Sequence, residues 1–247
     1  MSALADERRR RSRLCQLGER GKGMATSTHY RAWGLAIRRL EVHTLVRRKT
    51  SAFKELSAAA KLHQHIADFR NDDCGVEASA LDGVDAAFCV LGARSGWSDA
   101  ADVAAVERDA VINFARLCEA RGVPHFSLLS SVWADPKSNF AFGRLQGEAL
   151  EAVAKMDGFK RVSIFRPSAA KGPDGQLASS SGPFLGGLLW RSLPVASQFM
   201  HNRYRPMALE EIVLAMRLNV ELCDASEKVE RLEYRDMMMI IGKDSDL

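Results

Sequence analysis

Short apolar runs, spaced so that a helix fits between neighbours, restrict this chain to one class of architecture. Val42–Val46 (VHTLV), His65–Phe69 (HIADF), Val84–Leu91 (VDAAFCVL), Phe126–Ser130 (FSLLS) and Val162–Phe165 (VSIF) are rich in Val, Ile, Leu and Phe and mostly lack alternation. A strand with one wet face alternates polar and apolar residues, whereas a strand covered by helices on both faces does not. Between the runs lie helical stretches. In Val103–Arg121, the residues Val103, Val106, Val111, Phe114, Ala115 and Leu117 track one helical face, and Gly122-Val-Pro124 ends the helix. Strand and helix alternating at this length predict an α/β chain, a doubly wound parallel sheet with right-handed crossovers. At 247 residues it is most simply one domain with a substantial core.

The pattern changes after Pro167. Lys171–Pro183 (KGPDGQLASSSGP) reads as a loop, and Ala208–Leu222 as an amphipathic helix. Leu232–Ile241 reads as a second helix capped by Gly242, its MMMII run a core face and not a cofactor box. The single domain therefore ends in a small C-terminal helical region.

The charge is confined. Residues 1–24 carry Arg8, Arg9, Arg10, Arg11, Arg13, Arg20 and Lys22 against Asp6, Glu7 and Glu19, so seven minus three supplies the whole net charge of +4. Basic character thus belongs to this segment and not to a binding face. Residues 1–24 form either a solvated tail or a degenerate first strand with a phosphate loop, and 25–247 the main domain. Nucleic acid is not an expected partner except through that tail, whose arginines could also touch acidic lipid or act in targeting. No apolar run reaches the ~18–20 residues that span a bilayer. Five widely spaced cysteines without a CxxC pair argue for thiols in a reducing compartment such as the cytoplasm, an organelle being left open, and against a zinc site. Cys89 and Cys118, within apolar runs, read as core residues.

In a doubly wound sheet, ligands bind beyond the carboxyl ends of the strands. Arg47, Arg48 and Lys49 follow Val46. At the end of a second strand an acid would hold a ribose 2′-hydroxyl, while arginines neutralise a 2′-phosphate, favouring NADP over NAD if a dinucleotide binds. A solvated basic turn is the alternative. Gly92 follows the clearest run, where a glycine admits a close approach of ligand to backbone. The serine pair Ser130 and Ser131 ends FSLLS, and a helix from Ser138 or Asn139 to about Met156 follows.

These features together resemble the Tat-interacting-protein oxidoreductase family, an atypical branch of the short-chain dehydrogenases. The likeness runs from about Val42 onward, carried by TLVRR, DAAFCVLG, VERDAVINFARLCEARGVPHFSLLSS, the SNF and QGE flanks of the helix, and FRPS. The resemblance implies a Rossmann-type fold, NADP(H) binding, an oxidoreductase ancestry and protein partners. It implies 2′-phosphate recognition by Arg47 and Arg48, a cofactor wall at Leu91 and Gly92, strand-tip serines at Ser130 and Ser131, and a nicotinamide-side proline at Pro167.

Two departures shape the expectation. The family pattern places a Tyr and, four residues later, a Lys on one helix face; here the slots hold Phe142 and Gln146. Phe142 has no proton to give, while Gln146 can hydrogen-bond a ribose without offering charge. Losing positioned acid–base help costs about 10²–10⁴-fold. Arg144 lies on roughly the opposite helix face, and Ser138 is a poor relay. The second departure is the phosphate loop: Gly18 and Gly21 fit a Gly-x-x-Gly-x-x-Gly pattern after Leu14–Leu17, but Met24 takes the third place. The leading expectation is an NADP(H)-binding protein without Tyr/Lys catalysis that acts as a regulator or interaction protein. The alternatives are a working oxidoreductase using Ser131, and a structural subunit with an empty cofactor site.

Overall fold

The run Ala86–Cys89 is buried throughout, and its residues divide between two cores. Ala86 and Phe88 join one cluster with Phe165, Met207, Ile212 and Met237. Ala87 and Cys89 join another with Phe114, Phe126, Leu128 and Ile164. Period-two alternation thus feeds two apolar faces, which is why the run shows no polar positions.

The computed structural model describes residues 13–17, 41–49, 61–71, 74–92, 99–172, 202–224 and 227–243. Its strands are β1 Arg13–Leu17, β2 Glu41–Val46, β3 Lys61–Ile66, β4 Ala86–Cys89, β5 His125–Leu129, β6 Arg161–Phe165, β7 Ala170–Lys171, β8 Met207–Ala208 and β9 Val229–Leu232. Seven form one parallel sheet in the order β3-β2-β1-β4-β5-β6-β9, and β7 pairs with β8. β1 lies between β2 and β4, with Leu14 opposite both Val42 and Ala86. The chain winds outward one way through β2 and β3 and the other way from β4, so the topological switch point lies between β1 and β4.

Ala100–Ala104 (α1), a π-helical turn Ala105–Asp109 and Ala110–Ala120 (α2) run on continuously. The Asp99 side chain caps the start by accepting from Ala101 N–H at 2.8 Å. Gly122, at φ +68°, ends it in a left-handed turn where Gly122 N–H donates to Glu119 O at 2.9 Å. α2 and α3 (Ala141–Ala154) cover one sheet face through Phe114, Leu117, Leu150 and Val153. α4 (Leu209–Leu222) and α5 (Tyr234–Ile240) cover the other through Ile212, Met216, Met237 and Met238. The α/β, doubly wound expectation holds; within MMMII, Met237 and Met238 are core, Ile240 and Ile241 pack against it, and Met239 is exposed. No helix among the described residues is long and apolar enough to cross a membrane.

Three boundaries differ from expectation. The third strand is Lys61–Ile66, not His65–Phe69. KLHQHI lies on a sheet edge, where one side needs no apolar residues, while Ala67 and Phe69 enter the core from the following turn. The predicted helix Leu232–Ile241 begins instead as β9, pairing with β6, and turns helical only at Tyr234. α3 starts at Ala141 because Ser138 Oγ accepts from Phe140 N–H at 3.2 Å in a turn that precedes the helix. Of the predicted loop, 173–183 lies outside the described residues.

β9 is held by a polar network. Arg161 Nε donates to Glu230 Oε1 at 2.9 Å, and Asn219 Nδ2 from α4 donates to the same oxygen at 3.2 Å. The Ser163 hydroxyl also donates to it, so Ser163 accepts from His125 Nε2–H at 2.7 Å. That arrangement puts a proton on His125 Nε2, and burial, which lowers the ring's pKa to about 4, keeps it neutral at pH 7.

Candidate functional site

Because every strand of the main sheet is parallel, their carboxyl ends share one edge. Arg47, Arg48 and Lys49 stand exposed after β2; Leu91 and Gly92 follow β4; Ser130 and Ser131 follow β5; Arg166 and Pro167 follow β6. Leu91 is packed into the core, so its backbone and not its side chain is what it offers the edge. Gly18 and Gly21 lie outside the described residues.

The turn after β5 is fixed from two sides. Ser130 N–H donates to Phe165 O at 2.8 Å and Val132 N–H to Pro167 O at 3.2 Å, extending the β5–β6 pairing past the strand ends. The Arg166 guanidinium donates to Ser131 O at 3.2 Å, Val132 O at 3.1 Å and Ala134 O at 3.4 Å, and to Glu233 Oε1 at 3.2 Å. Burial lowers the Arg166 pKa from its ordinary value, with Glu233 acting against it. Ser131 Oγ accepts from Trp133 N–H at 3.1 Å, which leaves its own proton available. Trp133, 55% exposed, stacks on Tyr204 with centroids 5.2 Å apart.

α3 is pressed against this turn backbone to backbone. A Cβ on Gly143 would lie 2.7 Å from Trp133 O, and one on Gly147 only 2.2 Å from Pro136 N. Asp135 N–H donates to Gly143 O at 3.0 Å. The two glycines therefore bring the serine turn against the helix that carries Phe142 and Gln146.

Phe142 and Gln146, four residues apart, share a helical face. Gln146 Nε2 donates to Glu107 Oε2 at 2.9 Å. Glu107 comes from the π-helical turn and is 3% exposed. A carboxylate only accepts, so the amide orientation is determined and Gln146 Oε1 faces away from it. That oxygen is buried and has no donor among the described residues. A Cβ on Gly92 would meet nothing closer than Glu107 Oε1 at 3.9 Å, so packing among the described residues does not demand a glycine there. An orphaned acceptor and an open backbone position fit a ligand that lies along this edge and offers Gln146 Oε1 a hydrogen-bond donor.

Other groups are committed elsewhere. Arg144 Nη1 donates to Ser138 O at 3.1 Å, and Ser138 Oγ serves Phe140. Burial pushes the Cys89 thiol up to about 12, which makes it inert. Glu107 is the site residue that sequence reasoning missed. In the sequence it is one of three consecutive charged residues, Glu107-Arg108-Asp109, which gave no sign that it is buried; the π-helical turn carries it to Gln146.

The chain matches the family described as NAD(P)H-binding over residues 34–162. It is 34% identical over 203 residues to protein HTATIP2 of Rattus norvegicus, covering 82% of this chain and 79% of that protein. Among solved structures it resembles MoeE5 in complex with UDP-glucuronic acid and NAD, with TM-score 0.61 and 14% identity over 89% of this chain and 75% of that one. It also resembles a UDP-glucuronic acid 4-epimerase from Bacillus cereus in complex with NAD, with TM-score 0.60 and 10% identity over 88% and 76% of the two chains. At such identities the structural likeness is one of fold.

Proposed function

The chain belongs to the NAD(P)H-binding family as a homologue of HTATIP2, and from that premise we propose that it binds NADP(H) but lacks ordinary Tyr/Lys reductase chemistry, acting as a cofactor-responsive regulator or interaction protein. The observation that carries the reading is the pairing on α3: a ring without a hydroxyl at Phe142, and one turn on a neutral amide at Gln146 tied to Glu107. A bound NADPH supplies a hydride. In the proposal, Arg47 and Arg48 would neutralise the 2′-phosphate, while Gly18 and Gly21 would serve the pyrophosphate and Pro167 the nicotinamide. Gln146 Oε1 accepts from a ribose hydroxyl in place of an ammonium. Ser130 and Ser131 retain hydroxyls at the strand tip, but α3 offers them neither a phenol nor an ammonium to move a proton to a substrate oxygen.

Titrating purified protein with NADPH and NADH, followed by quenching of its four tryptophans, tests the binding arm. Saturable binding with NADPH preferred is expected; absence of saturation overturns it. Turnover of NADPH with a panel of carbonyl compounds, abolished by Ser131→Ala, would instead make the protein a working oxidoreductase. Co-purification in a stoichiometric complex without nucleotide would indicate a structural subunit.

A further inference from the structure

Strands β2 and β3 carry a second constellation that the dinucleotide edge does not use. Parallel register sets His43 opposite His63 and Leu45 opposite His65. Side chains recur on one face every second residue, so Glu41 and His43 share a face with His63 and His65. Glu41 Oε1 lies 3.3 Å from His63 Nε2 and 3.7 Å from His43 Nε2. One ligand atom from each of these three residues lies within 4.8 Å of the other two. The remaining nitrogen of His43, Nδ1, is 3.0 Å from His65 Nε2.

These separations are close to those around a metal ion. Tetrahedral zinc with N and O ligands at about 2.0–2.2 Å holds those ligands about 3.3–3.6 Å apart. Both carboxylate–imidazole separations are already at or near that range. The His43 and His63 rings are stacked at 26° with centroids 4.8 Å apart, so one ring must turn for their lone pairs to converge. His63 has the freedom to do so, since its side chain is 47% exposed. His65 can orient His43: in the tautomer that donates Nδ1–H to His65 Nε2, 3.0 Å away, His43 Nε2 keeps its lone pair for the ion. Two imidazoles and one carboxylate suit Zn²⁺, whereas Mg²⁺ and Ca²⁺ demand more oxygen ligands.

We propose that Glu41, His43 and His63 bind a zinc ion, with His65 as a positioning residue and solvent in the fourth place. The site lies in the amino-terminal half of β2 and β3, away from the carboxyl edge, and ties the edge strand β3 to its neighbour. It departs from the sequence expectation of no metal, which looked for closely spaced cysteines. Here the ligands come from two strands that only pairing brings together.

The test uses the full chain freed of metal with chelator and titrated with ZnCl₂, with MgCl₂ as control, reading heat release and melting temperature. One saturable equivalent of Zn²⁺ with a raised melting temperature, and no response to Mg²⁺, is expected. His63→Ala, at a half-exposed position, should abolish that equivalent, and Glu41→Gln should weaken it. His65→Ala should retain the stoichiometry with affinity about 10–100-fold lower. Absence of saturable binding in the wild type overturns the assignment, and so does Zn²⁺ binding that is unchanged in both His63→Ala and Glu41→Gln.

Discussion

Alanine normally outdoes glycine inside a helix by about 1 kcal/mol, and Gly147 reverses that preference. Its missing Cβ would sit 2.2 Å from Pro136 N and 2.3 Å from Asp135 C, both backbone atoms that no rotamer change can move. Gly147→Ala should therefore destabilise the protein by about 1–3 kcal/mol through overpacking, read as a lowered urea midpoint. His125 gives a pH dependence. Burial, then the nearby Arg161, lowers its pKa from 6.5 to about 4, with Glu230 opposing. Between those values the unfolded chain binds a proton that the native chain does not. Stability from this residue is thus full above pH 6.5 and lost as pH falls toward 4, on the order of 3 kcal/mol in all. Urea unfolding at pH 7 and pH 5 should show a smaller difference in His125→Gln than in the wild type; an equal difference would refute the assignment.

At the scale of elements, β9 and α4 depend on one carboxylate. Burial raises the Glu230 pKa, but hydrogen bonds from Ser163, Asn219 and Arg161 outweigh it and hold the group below its ordinary value. Glu230→Ala leaves the guanidinium of Arg161, 11% exposed, without its carboxylate, with only the Asn219 and Cys223 carbonyls to accept from it. Breaking such a pair costs about 3–5 kcal/mol. Amide exchange should accelerate in β9 and in the last turns of α4, and unaltered protection there would show that apolar packing alone holds the strand. α3 poses the complementary question. The Phe142→Tyr, Gln146→Lys double variant restores a phenol and an ammonium to one face. Appearance of NADPH turnover where the parent has none would support a chain that lost catalysis at these two positions, while turnover in the parent itself would contradict it.

For the molecule as a whole, binding at the switch point is linked to folding. A ligand that binds only the native state stabilises by about 2.7 kcal/mol at a hundredfold excess over Kd. NADPH should raise the melting temperature more than NADH does, and Arg47→Ala with Arg48→Ala should remove the difference. Each charged hydrogen bond to a 2′-phosphate is worth about 1.5–3 kcal/mol. Equal shifts for the two cofactors, before and after substitution, would place the phosphate preference elsewhere. No cysteine among the described residues is in a disulfide, so reductant should leave the melting temperature unchanged.

Local sequence was enough for the covered strands and the glycine-terminated helices, because burial on two faces and a left-handed cap leave composition signals within a few residues. It was also enough to place Ser130, Ser131, Gly92, Arg47, Arg48 and Pro167 after strands that proved parallel, hence on one edge. It did not reveal β3 or β9, since edge strands need apolar residues on fewer sides and KLHQHI and VERL carry few. The Glu107–Gln146 pair, the backbone contact at Gly147 and the Glu41, His43 and His63 cluster were beyond it for a different reason. Each joins residues 11 to 39 positions apart, and such proximity follows from strand register and helix packing, which only the assembled sheet decides.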